Sequence, residues 1–233
     1  MKDADQDTTT ITINQLAAIA FEMVADRPLE QISLNDVAEA AGIDHDYAAM
    51  CAGTVTSLLL HHMAMLDNKA MTDTFDDLKD AGEVSIREKI LEAILHRFEI
   101  YNPYKRAVAS LAKSALRNPP FAMALLSNRV AITRRLLMMC GDSLNGWQGE
   151  ARIRGVVGVM AASARVWQKD DTPDLSMTMK EIDRRLEQAE DWGHSLGVFG
   201  LGASRNNSDR PDMADDDMSA DNAMDNEANN DRG

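Results

Sequence analysis

The feature that most constrains this chain is a run of stop-and-start signals between Ser33 and Thr54. Ser33, with Asp36 three residues on, forms a capping-box-like start for a helix over LNDVAEAA, and Gly42 ends that helix. Asp44 caps a further short helix that runs to about Ala52, Gly53 stops it, and Thr54 opens a longer one. Upstream, Ile13, Leu16, Ala17, Ala20, Phe21 and Val24 recur at steps of three and four, which predicts a helix from about Ile13 to Ala25. Three short helices, the second and third separated by a short turn containing glycine, make the helix-turn-helix shape.

Longer helices follow. From Thr54 on, Val55, Leu58, Leu59, His62, Met63, Leu66 and Met71 share one side; over Ser85–Tyr101 the apolar positions are Ile86, Ile90, Ile94, Leu95 and Phe98, and Asn102 with Pro103 ends that helix. Helices are predicted over Lys105–Arg117, from Pro120 to about Cys140 after the NPP restart, and over Gly149–Gln168. Thr172 and Pro173 read as the N-cap and first turn of a last helix. Its apolar positions Leu175, Met179, Ile182, Leu186, Ala189 and Leu196 step like a heptad, so the seam needs a partner helix over about 30 Å. The expected class is therefore all-α.

Composition excludes several functions. The longest apolar run, Gly155 to Ala164, is half of the roughly eighteen residues a membrane-spanning helix needs, and the opening MKDADQD is acidic where a signal peptide is basic, so the expected location is the cytoplasm. Cys51 and Cys140 stand alone and read as small core residues. Asp44-His45-Asp46 and His61-His62 lack further ligands at metal-binding spacing, no nucleophile, base and acid cluster, and no glycine-rich phosphate loop occurs. No enzyme, metal site or cofactor is expected.

The net charge of -14 is unevenly spread. Met1–Leu66 carries two basic side chains against ten acidic ones, whereas Arg87–Lys169 carries fourteen basic against five acidic. The basic middle fits a contact with anionic lipid, a clamp for a ligand's acid group, a dock for the acidic tail, or simply solvated helix faces. From Ser204 onward Asp, Asn and Ser dominate and branched aliphatic and aromatic side chains are missing, which predicts disorder.

The stretch SLNDVAEAAGID, Ser33 to Asp44, resembles the DNA-binding core of the TetR family, with Phe21 matching its buried aromatic and Thr54 the residue that caps its fourth helix. EKILEAILHRFEIYNPYKRAVASLAK and, more specifically, Trp167, Asp170, Asp174, Thr178, Met179, Ile182, Asp183 and Leu186 resemble the C-terminal domain of a bacterial TetR-like group. That group is similar in turn to lipid-binding accessory proteins of ubiquinone biosynthesis. The resemblance implies a TetR-like N-terminal three-helix helix-turn-helix and a larger C-terminal helical bundle with a hydrophobic pocket and a two-fold dimer interface from its last two long helices. One departure stands out. Where the family's recognition helix reads close to SKGTLYRYF, this chain has Asp44, His45, Asp46, Tyr47, Ala48, Ala49, Met50, Cys51 and Ala52, and its carboxylates would repel phosphate.

The expected layout is a disordered 1–10, a helix-turn-helix domain over 11–66, a ligand-binding and dimerisation domain over 67–198, and a disordered acidic tail over 199–233. Ser33, Asn35, His45, Tyr47 and Thr54 are the candidate DNA contacts. Phe98, Leu111, Leu125, Met138, Met160 and Trp167 are candidates for a pocket holding a hydrophobic small molecule or lipid, and the same residues fit a plain core. Val156, Met160, Leu175, Met179, Ile182, Leu186 and Ala189 are the expected homodimer interface. Two functions follow: a regulator that binds an operator duplex and senses a hydrophobic molecule, or a lipid- or isoprenoid-binding accessory protein of ubiquinone biosynthesis that keeps the fold without binding DNA.

Overall fold

The computed structural model describes residues 2–80 and 82–195. Among them are nine α-helices, α1 (Lys2–Asp26), α2 (Leu34–Ala41), α3 (His45–Ala52), α4 (Val55–Asp80), α5 (Ile86–Tyr101), α6 (Lys105–Ala115), α7 (Pro119–Met139), α8 (Gly146–Trp167) and α9 (Ser176–Ser195), and no strand. The all-α expectation holds. No single helix among the described residues is long and apolar enough to cross a membrane. The expected tail over 199–233, and Leu196, lie outside the described residues.

Periodicity explains the head. Leu16, Ala17, Ala20, Phe21 and Val24 of α1 are fully buried against Val37 and Ala38 of α2, Ala48 of α3, and Leu58 and Leu59 of α4. The first helix is longer than the sequence pattern implies: it starts at Lys2, where disorder through residue 10 was expected. Within that first stretch the Thr12 hydroxyl donates back to the Thr8 carbonyl at 3.0 Å, a bond that is compatible with helix and does not account for it. α4 also runs straight through the expected boundary at 66/67 and ends at Asp80. One apolar core is continuous from Leu16 to Leu186, so head and body share a helix and a core.

Most of the residues expected at a dimer interface are packed inside the chain's own core. α9 packs on α8 and α5 of its own chain. Leu175, Ile182 and Leu186 are buried there, with Val156 and Met160 of α8 facing the same core. Ile182 has no exposed area left to give a second subunit. Heptad-like spacing demands a partner helix but does not say whose. Of the seven expected interface residues, Met179 is exposed and Ala189 is half-buried.

The α8–α9 corner is built around a buried carboxylate, Asp170. The Asp170 side chain accepts the Thr172 and Thr178 backbone N–H groups at 3.1 and 2.7 Å, and both threonine hydroxyls. Burial opposes its charge, but the hydrogen bonds from Thr172 and Thr178 win and hold the carboxyl down at about 2. Leu175 adopts a left-handed φ of 48° while buried, so the expected Thr172–Pro173 start gives way to a turn and α9 begins at Ser176. Thr172 still serves the helix, accepting the Ser176 N–H at 3.1 Å. At the other end of α8, Gly149 is needed for close approach. A Cβ there would lie 2.3 Å from the Leu144 carbonyl oxygen.

Candidate nucleic-acid interface and inner cavity

Ser33 accepts the Asp36 N–H at 3.1 Å while the Asp36 carboxylate accepts the Ser33 N–H at 2.8 Å. Those bonds from Ser33 hold the Asp36 carboxyl below its ordinary value. At the far end of α2, Gly42 takes φ 66° and Ile43 returns an N–H to the Ala38 carbonyl at 3.0 Å. Asp44 then accepts the Asp46 and Tyr47 N–H groups at 3.1 and 3.0 Å. Thr54 plays the same part for α4, taking the Ser57 N–H at 3.0 Å.

These caps decide what the head has left for a ligand. Of the expected DNA contacts, Ser33, Asn35, His45 and Thr54 are exposed and Tyr47 is half-buried. Ser33 and Thr54 already use their hydroxyls as caps. The outward side of α3 presents His45, Asp46, Ala49 and Met50, the last 72% exposed, and neither α2 nor α3 contains a lysine or arginine. Met50 is a functional candidate that residue-type reasoning passed over, since DNA contacts were sought among polar groups.

The body encloses a second candidate site. Phe98 and Trp167 line a small cavity of about 20 Å³ together with Arg97, Tyr101, Val108, Arg129 and Ala164. The other proposed pocket residues are not in its wall: Leu111, Leu125 and Met160 are core, and Met138 is 53% exposed on the surface of α7. Trp167 donates its indole N–H to the Phe98 carbonyl at 3.1 Å, with the two rings 5.3 Å apart. As it stands, this space suits about one water.

Its charged wall is built from three helices. Arg97 donates through Nε to Asp67 at 2.6 Å, with side-chain exposures of 8% and 1%, and stacks over the Tyr101 ring at 4.7 Å. Tyr101 donates its hydroxyl to the Met63 carbonyl at 3.0 Å. Burial favours a neutral Arg97, yet the Asp67 charge prevails and raises its pKa; burial raises that of Tyr101. Arg129 is the odd member, because burial and the Arg97 charge both lower its pKa. The sequence did carry a signal for this cluster. Ile90, Ile94, Arg97 and Tyr101 step by four, three and four, as do Met63, Asp67, Ala70 and Thr74, so a cation and a carboxylate each fall in a buried register.

His61 and His62 go separate ways. His61 meets Asn14 at 2.7 Å, whereas His62 is buried 4.7 Å from the Phe21 ring, with neither ring nitrogen hydrogen-bonded and its pKa lowered by burial. Among the described residues no three His, Cys, Asp or Glu side chains gather as metal ligands do.

No family model matches this sequence, and no curated protein does. Solved structures do match. A TetR transcriptional regulator from Nitrosomonas europaea superposes with a TM-score of 0.57 at 15% identity, over 77% of this chain and 98% of that one. A TetR-family transcriptional regulator from Streptomyces coelicolor gives 0.54 at 15%, over 81% and 86%. The fatty acid degradation regulator FadR from Bacillus halodurans gives 0.51 at 16%, over 75% and 94%. The fold is the TetR type.

Proposed function

We propose that this chain is a TetR-like transcriptional regulator, not an enzyme, that binds an operator duplex through α3 and senses a hydrophobic molecule in the body. The observation that carries the reading is the pair of short helices, each closed by its own cap, held by a head whose core continues into the body. His45, Tyr47 and Asn35 are the side chains proposed to reach the bases, with Met50 available for a thymine methyl. Fatty acid degradation is what one structural relative regulates, and that supports an apolar ligand here.

Two links join cavity to head. α4 carries head residues Leu58, Leu59 and Met63 on one stretch and Asp67, the partner of Arg97, on the next. α6 presents Val108 to the cavity and packs against α1, where Arg106 pairs with Asp26 and Ser114 lies 3.4 Å from the Leu29 N–H. A molecule that enlarges the cavity pushes on both helices, which shifts the head between two placements. Dimerisation, proposed for the outer face of α8, fits the exposed Trp147, Arg154, Gly158, Ala161 and Arg165, whose small residues at 158 and 161 let backbones approach.

The acidic head favours a second reading, a lipid- or isoprenoid-binding accessory protein of ubiquinone biosynthesis that no longer contacts DNA. Native mass spectrometry and a salt titration separate the two. The regulator is a dimer that retains duplex from its own upstream region at low salt and releases it as salt rises; the carrier ignores duplex and copurifies with an isoprenoid or phospholipid.

A further inference from the structure

Arg129 is a part-buried guanidinium on the cavity wall that makes no hydrogen bond or ion pair to any described side chain; nearby Asp67 accepts from Arg97 through Oδ1 and keeps a second buried oxygen, Oδ2, without a partner. Two cations and one carboxylate therefore share this interior, and the remaining wall is Phe98, Val108, Ala164, Trp167 and the Tyr101 ring. A guanidinium that faces such a wall over part of its surface loses hydration there, a cost that a charge partner offsets. One negative charge on an apolar body would do so.

We propose that the cavity, widened from its resting water-sized space, binds an apolar molecule carrying one carboxylate, whose anion is held by the Arg129 guanidinium and whose body packs on Phe98 and Trp167. This rests on the reading of the cavity as the ligand site and adds the ligand's charge. Arg129 and Arg97 sit close enough for their charges to be felt, so the bound anion also competes with Asp67 for Arg97. That competition loosens the tie between α4 and α5, which is the tie that reaches the head. A carboxylate matches the planar guanidinium fork in a way that an alcohol does not.

Calorimetric titration of the full chain with matched pairs, decanoate against decanol and 1-naphthoate against naphthalenemethanol, tests this. In at least one pair the acid is expected to bind about tenfold or more tighter than its alcohol, the scale of a charge-assisted hydrogen bond. Arg129→Met should reduce that preference to about threefold or less by weakening the acid more than its alcohol, and Arg129→Gln serves the same comparison if the methionine variant does not fold. Equal binding of acid and alcohol, or a preference that survives loss of Arg129, overturns the proposal but leaves a neutral-ligand cavity standing. Failure of every compound to bind removes both.

Discussion

Head and body solve the same problem, where to put polar groups in an all-helical chain, in opposite ways. In the head the partners are local: Ser33 with Asp36, Asp44 with Tyr47, Thr54 with Ser57, each three residues apart and each at an exposed helix end. In the body they are distant and inside: Asp67 with Arg97, Asp142 with Arg152, Asp170 with Thr178. Caps set where helices begin and leave the surface acidic. Buried pairs fix how helices cross, and cost far more when half of one is removed.

The contrast breaks first, and hardest, at Asp67. Asp67→Asn leaves Arg97 charged and buried without its counter-ion, and urea unfolding should show a loss of about 3–5 kcal/mol. Gly149→Ala comes next, because the added methyl meets backbone rather than a flexible side chain; about 1–3 kcal/mol is expected, read as a lower thermal midpoint. Asp170→Asn should cost about 1–3 kcal/mol by the same measure. It also predicts a pH signature. The folded carboxyl lies at about 2 and the unfolded one at 3.8, so its stabilisation is complete above the unfolded value and fades as pH falls from there through the folded one. The asparagine variant should lack that part of the acid transition.

The head should respond more mildly. Ser33→Ala removes one cap and should cost about 1 kcal/mol in urea unfolding. Asp46→Lys, on an exposed side chain whose carboxylate caps nothing, should change stability by less than about 0.5 kcal/mol yet steepen the salt dependence of duplex binding by about one unit of slope. A head substitution as costly as Asp67→Asn would erase the distinction between the regions.

How much of this was legible in the sequence follows the same division. Cap signals are short-range, so Ser33, Gly42, Asp44, Gly53 and Thr54 mark α2, α3 and the start of α4 nearly residue by residue, whereas the start of α1 at Lys2 and the run of α4 to Asp80 carry no such marker. The α9 seam was equally visible, but its destination was not. Spacing at Leu175, Ile182 and Leu186 specifies a packed face and cannot distinguish a neighbouring subunit from the chain's own α8 and α5. Asp170 was noticed as part of a motif, while its role needed the fold of the corner around Leu175. The cavity is half legible: Phe98 and Trp167 stand out by apolar character, whereas Arg97 and Arg129 fall in a basic stretch that fits a lipid surface, a ligand's acid-group clamp, a tail dock or solvated helix faces alike.

Whether the capped α2–α3 pair reads duplex DNA despite its carboxylates decides between the regulator and the carrier. Selection of bound sequences from a random duplex pool at low salt tests this most directly. The account predicts enrichment of a two-fold-symmetric motif with half-sites about one helical turn apart, lost as salt is raised. A pool that emerges with no enriched motif would contradict it.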